Sequence, residues 1–285
     1  MTGGLRYQRD RQDRTGSIGR SPRFLRLDYS ETFSAWLPRL SAAYTFAPRI
    51  LAGVTVQRAY NPGGVTLAVD TGAEDRFRQE TLWDYEAFVR AAAADGKLTL
   101  ESNIFYYDMR NAQRPRNRVV LTPDGSQVFV SEADNAPRAR SYGLEVSGRW
   151  RASPRLSLRA AVGLLGTRLI ETSDPADQAR GRSFQRSPRL SASASAEWHP
   201  SARWRLSASV RHNSRYYSDD LNTPALRIGG VTRFDASAAY SAGRVTVFAY
   251  ARNLFDRFEL DALTDPTLGD AGEPRQLGAG IEASF

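Results

Sequence analysis

The chain's 285 residues contain two histidines, His199 and His212, and the second stands three residues after Ser209 and two before Ser214. Serine with histidine is the minimum for nucleophilic hydrolysis, but the base must lie within hydrogen-bond reach of the nucleophile. Neighbouring positions on a strand do not supply that geometry, so no catalytic residue is assigned and the chain is not read as an enzyme. There is no cysteine and no paired-histidine spacing, so no transition-metal site is expected. Glycine-rich phosphate loops, GxGxxG and HExxH are also missing, and no resident cofactor is implied. Asp70, Glu74, Asp75, Asp108, Asp124, Glu132 and Asp134 are scattered without EF-hand spacing, as solvated loop charge.

Anion recognition is the chemistry that remains. Arg114, Arg116 and Arg118 stand close together in a polar stretch, and Arg149, Arg159, Arg203, Arg205 and Arg211 fall on the polar side of alternating segments. Guanidinium forks suit carboxylate and phosphate groups. Tyr216 and Tyr217 offer an aromatic surface for a ligand or, equally, an interfacial anchor. Charge on an inward polar face is also ordinary barrel structure, so the arginines have a structural reading beside the functional one.

The elements that hold these residues alternate with period two. Trp204, Leu206, Ala208 and Val210 oppose Arg203, Arg205, Ser207, Ser209 and Arg211; Tyr142, Leu144, Val146 and Trp150 oppose Ser141, Glu145, Ser147 and Arg149. Leu190, Ala192, Ala194, Ala196 and Trp198 repeat the pattern. About twelve strands follow, near residues 2–9, 33–46, 50–59, 81–92, 97–109, 140–150, 155–167, 187–198, 203–213, 232–240, 244–254 and 276–285. Short turns at 47–49, 93–96, 151–154, 199–202 and 241–243 alternate with long polar loops at 10–32, 60–80, 110–139, 168–186, 214–231 and 255–275. A compact soluble domain rarely holds so many connections beyond about 12–15 residues. An outer-membrane meander needs short periplasmic turns and long extracellular loops. Trp150, Trp198, Trp204, Tyr44 and Tyr240 beside the turns, and Tyr106, Tyr107, Tyr216 and Tyr217 beside the loops, predict aromatic girdles. In RVTVFAYARNLF, Val245, Val247, Ala249 and Ala251 are read as lipid-facing, which turns Phe248 and Tyr250 inward.

Bulk properties fit this reading. Mean hydropathy is −0.48 and no stretch approaches the ~20 apolar residues of a membrane helix, a test that β-strands escape. The formal charge is +8, almost all of it from arginine, since Lys97 is the only lysine. These arginines are spread along the chain rather than clustered, so nucleic acid is not the expected partner; anionic ligands, outer-membrane lipid and lipopolysaccharide are. The first residues, MTGGLRYQRDRQDRTG, lack the apolar core of a signal peptide.

Asn253-Leu254-Phe255-Asp256, then Gly272-Glu273-Pro274-Arg275 and a final alternating strand ending at Phe285, resemble the C-terminal signature of TonB-dependent outer-membrane receptors. Residues 33–40 with Tyr44, the run 58–65 and the segment 80–86 resemble successive barrel segments of siderophore-receptor-like members. The resemblance implies an all-β antiparallel transmembrane barrel meander in the bacterial outer membrane, a single partial domain over residues 1–285. These are roughly twelve of about 22 strands, without the plug. It further implies uptake of a ferric siderophore or similar bulky anionic ligand, with TonB engaged only through the missing plug region. A last strand read by the barrel-assembly machinery at Phe285 is also implied, beside the equally open reading of Phe285 as a plain interfacial anchor. The chain alone is then not transport-competent. Asn253 and Asp256 sit where a strand gives way to a loop and read, with the rest of residues 253–256, as turn structure, while Pro274 and Arg275 are carried as part of the family motif. A self-standing twelve-stranded outer-membrane channel or barrel hydrolase, and a soluble β-rich binding protein, stay open as alternatives at this stage.

Overall fold

The computed structural model describes residues 1–20, 23–67, 74–121 and 127–284. Twelve strands form one antiparallel meander: β1 (Thr2–Arg20), β2 (Arg23–Ala47), β3 (Ile50–Asn61), β4 (Glu80–Ala93), β5 (Leu98–Leu121), β6 (Gln127–Ser153), β7 (Leu156–Glu171), β8 (Leu190–Trp198), β9 (Trp204–Asn213), β10 (Val231–Ala242), β11 (Val245–Arg252) and β12 (Gln276–Ala283). Each pairs with its neighbour in sequence, and β1 and β12 occupy the two edges of an open sheet. Among the described residues the only helical elements are two short 3-10 turns, Ala94–Gly96 and Pro224–Leu226. Tight turns join β2–β3, β4–β5, β6–β7, β8–β9 and β10–β11 at one end. Left-handed backbone at Gly96 (φ 80) and Gly243 (φ 63) makes two of these reversals.

Directly paired residues on neighbouring strands share a face, so the register alone sorts the side chains. One row runs Val54, Ala87, Ile104, Leu144, Leu164, Leu190, and another runs Leu158, Ala196, Ala208, Ala236, Ala251, Leu277. Both rows are apolar throughout, and a row between them carries isolated polar side chains, Ser102, His212 and Thr232. The opposite face carries Arg149, Arg159, Ser195, Ser209 and Asp235 in register. Val247 pairs with Ile281, which places Phe248 and Tyr250 on the polar side as the pattern predicts. There they lie over Gly280 and Gly278, where a Cβ would collide with their rings, and Phe88 covers Gly53 in the same way. Such pairs let a large ring lie flat across a sheet.

The apolar face is open. Ile104 is 61% exposed, Leu277 70% and Ile281 73%, and Val54, Val89, Leu100, Val146, Val162 and Leu164 are exposed on the same face. Soluble monomers seldom leave a patch of this extent in water. Two aromatic belts frame it. Tyr44 with Phe46, Trp204 with Tyr240, and Trp150 and Trp198 stand at the short-turn end. Tyr7 with Trp36, Tyr85 with Tyr106, Phe234 with Phe255, and Tyr142 stand at the other. Trp36 and Tyr44 are eight positions apart, as are Tyr142 and Trp150. At ~3.3 Å per residue and a ~45° tilt, the belts bracket most of an apolar band about 25 Å tall.

Several expectations are corrected. Residues 10–32 and 110–139 are not loops for most of their length: β1 and β2 continue as a paired ribbon to Arg20 and Arg23, and β5 and β6 to Leu121 and Gln127. Residues 60–80, 214–231 and 255–275 contain ribbons of their own, Gly64–Leu67 with Glu74–Phe77, Tyr216–Tyr217 with Arg227–Ile228, and Leu260–Asp265 with Leu268–Ala271. Tyr107 pairs with Asp84 and Ser141 on the polar face and so does not belong to the girdle. Arg203 lies in a tight turn and donates to the Tyr240 hydroxyl at 3.3 Å, because a long side chain at a strand end reaches round to the nearer acceptor.

The Asn253-Leu254-Phe255-Asp256 motif closes the connection from β11 to β12. Asn253 is buried and left-handed (φ 47). Its Oδ1 accepts from the Arg257 N–H at 2.9 Å, and its Nδ2 donates to the carbonyls of Arg257 and Glu273 at 2.9 and 3.1 Å. Asp256 accepts from the Arg275 N–H at 3.0 Å, next to Pro274, and the Leu254 N–H donates to the Phe234 carbonyl at 2.7 Å. Phe255 packs edge-on against Phe234 with ring centres 5.1 Å apart. One asparagine and one aspartate thus draw both ends of the loop to the sheet.

Two outcomes test this architecture. Ala208→Arg, at the centre of the apolar face, should cost about 2–4 kcal/mol in bilayer insertion, whereas Ser209→Arg on the other face should be tolerated; denaturant titration of tryptophan fluorescence in lipid vesicles reads both. In the same assay Asn253→Ala should cost about 2–4 kcal/mol, for three lost hydrogen bonds and an orphaned loop backbone.

Candidate functional site

The connections at the end opposite the tight turns are laced into a continuous crown. Arg14 in β1 donates to the Val65 carbonyl at 3.3 Å, and Glu74 accepts from the Asp28 N–H at 3.2 Å, which fastens the 62–79 connection to the β1–β2 ribbon. Gln113 and Asn135, on β5 and β6, hold that connection from the other side through Pro62 and Arg78. The 172–189 connection meets the 214–230 connection where Asn222 bonds both the N–H and the carbonyl of Ser183 at 2.9 Å. Ser218 and Tyr216 reach on to Leu263 and Asp261 at 2.9 Å. Tyr216 and Tyr217 therefore stand in the crown rather than in a girdle, and burial pushes the Tyr216 hydroxyl pKa up.

Arg114 is the junction between the two halves of this crown. Its guanidinium is buried and pairs with Asp134 of β6 at 3.0 Å, with Asp177 of the next connection, and at 3.9 Å with Asp220 of the one after. Burial works against its charge, and Asp177 and Asp134 outweigh that penalty and raise its pKa. Burial also pushes the Asp220 carboxyl above the usual carboxylate range, with the Gln185 N–H and Arg114 opposing. Asp220 Oδ2 has no hydrogen-bond partner, because Arg114 stands at ion-pair but not hydrogen-bond range. Below the network, Ala112, Ala136, Ala139, Leu169 and Ala179 form a small apolar core, with Met109 and Phe184 against it.

The other predicted ligand arginines are dispersed. Arg211 is exposed on the polar face, opposite Arg233 and 3.8 Å from Asp235. Arg205 is six positions away towards the tight turns, about 20 Å along the strand, in a hollow of about 280 Å³ with His199, Arg244 and Glu282. Between them a second hollow of about 340 Å³ is lined by Arg149, Arg159, Glu197, Asp235, Tyr250 and Arg252. The backbones of Arg116 and Arg118 lie in β5, but their side chains, like Phe285, fall outside the described residues. The polar face thus presents arginine at several heights beneath a crown in which Arg114 is neutralised by its own chain. Sequence reasoning missed Asp177, Asp220 and Asn222, whose partners lie dozens of positions away.

The serine–histidine geometry does not form. His212 Nδ1 is 2.8 Å from the Thr232 hydroxyl on the apolar face, Ser209 points to the opposite face, and the Ser214 hydroxyl accepts from the Leu190 N–H at 3.0 Å.

Arg114→Met removes the cation that Asp134, Asp177 and Asp220 share, at a cost of about 3–5 kcal/mol. Amides in the 172–189 and 214–230 connections should then lose hydrogen-exchange protection while β8 and β9 keep theirs. Asp220 binds its proton more tightly in the folded crown than in an unfolded chain, so acidification through its raised pKa favours the folded form. Protection in the variant, corrected for intrinsic exchange, should therefore recover as pH falls from neutrality, and Asp177→Asn with Asp220→Asn should restore it at neutral pH.

Comparison with known proteins agrees with this geometry. Residues 1–254 match the family model described as TonB dependent receptor-like, beta-barrel. The metal-pseudopaline receptor CntO of Pseudomonas aeruginosa is 24% identical over 286 residues, which cover 99% of this chain and 38% of the relative. The ferric yersiniabactin uptake receptor FyuA from Yersinia pestis superposes with a TM-score of 0.80 at 20% identity, over 99% of this chain and 42% of that one. The ferric-catecholate import receptor Fiu from E. coli K12 does so with a TM-score of 0.74 at 16% identity, over 99% and 42% of the two chains. The chain spans about two fifths of the length of these proteins. An open twelve-stranded meander with one lipid-compatible face, matched over most of its length by one family model, belongs to the TonB-dependent receptor-like β-barrel family of the bacterial outer membrane.

Proposed function

We propose that the chain is the C-terminal portion of the barrel wall of a receptor that imports a chelated metal ion, a ferric siderophore or a similar bulky anionic complex, across the outer membrane. The observation that carries this reading is the laced crown above a polar face bearing Arg149, Arg159, Arg205, Arg211 and Arg252. A bulky anion entering from the crown end meets cations at successive heights, and fixed guanidinium groups recognise carboxylate, catecholate or phosphate oxygens through paired N–H donors. The named relatives are receptors for metal–chelator complexes, which supports the ligand class. The wall has no catalytic role, and energy coupling to TonB runs through a plug held by a segment other than these strands. Barrel-assembly machinery reads the terminal strand, a reading supported by the apolar stripe Leu277, Ala279, Ile281 and Ala283 that leads to Phe285.

In a receptor-deleted, iron-limited host, the chain alone should reach the outer-membrane fraction without supporting uptake of radiolabelled iron from a panel of ferric siderophores. Co-produced with a plug-bearing N-terminal segment, it should restore TonB-dependent uptake of at least one of them. Steady ion conductance by the chain alone in planar bilayers would instead establish a self-closed channel.

A further inference from the structure

On the polar face, one register row in the half nearer the tight turns reads Arg149, Arg159, Ser195, Ser209, Asp235 across β6 to β10. Arg149 and Arg159 are paired directly, and like charges set opposite each other disfavour a sheet unless an anion offsets them. Among the described residues neither arginine has an ion pair, and the Ser195 and Ser209 hydroxyls have no hydrogen-bond partner. The two carboxylates nearby are engaged elsewhere: Glu197 is bonded to His199 at 3.1 Å, and Asp235 accepts from the Asn253 N–H at 2.9 Å and lies 3.8 Å from Arg211. Arg149, Arg159, Ser195 and Ser209 share a hollow of about 340 Å³ with Arg252, whose guanidinium rests over the Tyr250 ring at 5.5 Å. The hollow exists because β7 to β10 carry serine, alanine and glycine between their charged residues on this face, whereas β4 and β5 carry Glu86, Phe88, Phe105 and Tyr107.

We infer that this hollow is a second anion site for the cargo, at the end of the wall opposite the crown, where it takes carboxylate or catecholate oxygens of the metal chelate. The inference rests on the receptor reading above and extends it from the mouth to the far end of the passage. Arg149 lies seven positions from Tyr142 of the crown-side belt, about 23 Å along the strand, and adjoins Trp150 of the belt beside the tight turns. An anion that has left the crown therefore has one more place to rest before it leaves the wall. The lining decides the occupant. Its floor is serine and its one ring is covered by Arg252, so a folded protein segment finds no apolar side chain against which to bury surface. A hydrated polyanion needs only donors. Two facing guanidinium groups present parallel N–H donors to the oxygens of one chelate, the serine hydroxyls add two more, and binding offsets the Arg149–Arg159 repulsion. On β4 and β5 the same face offers bulk and Glu86 instead, so the small, cationic side is the open route.

The full chain refolded into dodecyl maltoside micelles is titrated with radiolabelled ferric citrate, a polycarboxylate chelate, and bound iron is read by equilibrium dialysis. Wild type should bind at least about tenfold more tightly than Arg149→Gln with Arg159→Gln. Ser195→Trp, which fills the floor and keeps both guanidinium groups, should lose as much, a comparison that decides even if the glutamine variant misfolds. Arg140→Gln with Arg168→Gln removes a directly opposed arginine pair from the other face of the same two strands and should bind like wild type. Inorganic phosphate at the same concentration should not displace the chelate. No retention by a wild-type chain that carries a detergent belt, or equal retention by wild type and both hollow variants, overturns the site and leaves the wall intact. Displacement by inorganic phosphate overturns the chelate as occupant. A chain that stays monodisperse with no detergent belt overturns the wall and the site together.

Discussion

A peptide group in hydrocarbon has no water to bond with, so every N–H and C=O at that depth must be paired within the protein. In this chain the requirement is met strand by strand, each inner strand bonded to the two adjacent in the meander, and every other regularity descends from it. Pairing fixes register, and register fixes faces. The short-turn ends are tight because a meander of adjacent antiparallel strands needs only a reversal there. The two strands at the ends of the sheet order, β1 and β12, each have one neighbour within it, so each leaves one edge for which this sheet supplies no partner.

Beyond the belts the constraint relaxes and the architecture changes character. The β1–β2 ribbon continues with Arg11, Gln12 and Asp13 opposite Thr32, Glu31 and Ser30, a stretch polar on both sides and held by backbone bonds and pairs such as Ser30 with Asp13. With water available, side chains take over the work of joining one connection to the next. Arg114 does so with charge, and Asn222 and Asn135 do so by bonding backbone groups of another connection directly. A wall stabilised by lipid and backbone pairing thus supports a mouth stabilised by individual polar contacts, so the mouth can vary or move without disturbing the wall.

This division explains which features were legible in the sequence. Strand positions and face assignments within the membrane were readable because Leu206, Ala208 and Val210 against Arg205, Ser207 and Ser209 state the two environments residue by residue. The ends of β1, β2, β5 and β6 were not, because once both faces are wet the alternation carries no hydrophobic contrast and an extended ribbon looks like a loop. Arg114 illustrates the limit for sites. Its residue type announced anion binding, and the anions proved to be carboxylates of the same chain, 63 positions away in the case of Asp177. Arg140 and Arg168 illustrate the converse: only the register reveals that they oppose each other on the lipid side.

The same reasoning accounts for a superposition at TM-score 0.80 with 20% identity. A lipid-facing position asks for an apolar side chain and a lumen-facing position for a polar one, with little demand on shape, since neither packs into a closed core. Identity is therefore free to drift along the strands. It is pinned where a particular side chain does a geometric task that no other does as well. Asn253 must adopt left-handed backbone, accept one N–H and donate to two carbonyls at once, and asparagine alone among the residues combines tolerance of that backbone with both hydrogen-bonding roles on a short stem. The motif that carries the family resemblance most sharply is therefore a loop clamp rather than a ligand site. The family match rests on the wall, residues 1–254, whereas the arginine-bearing face and crown, proposed to take the ligand, are where the sequence is least constrained by the membrane.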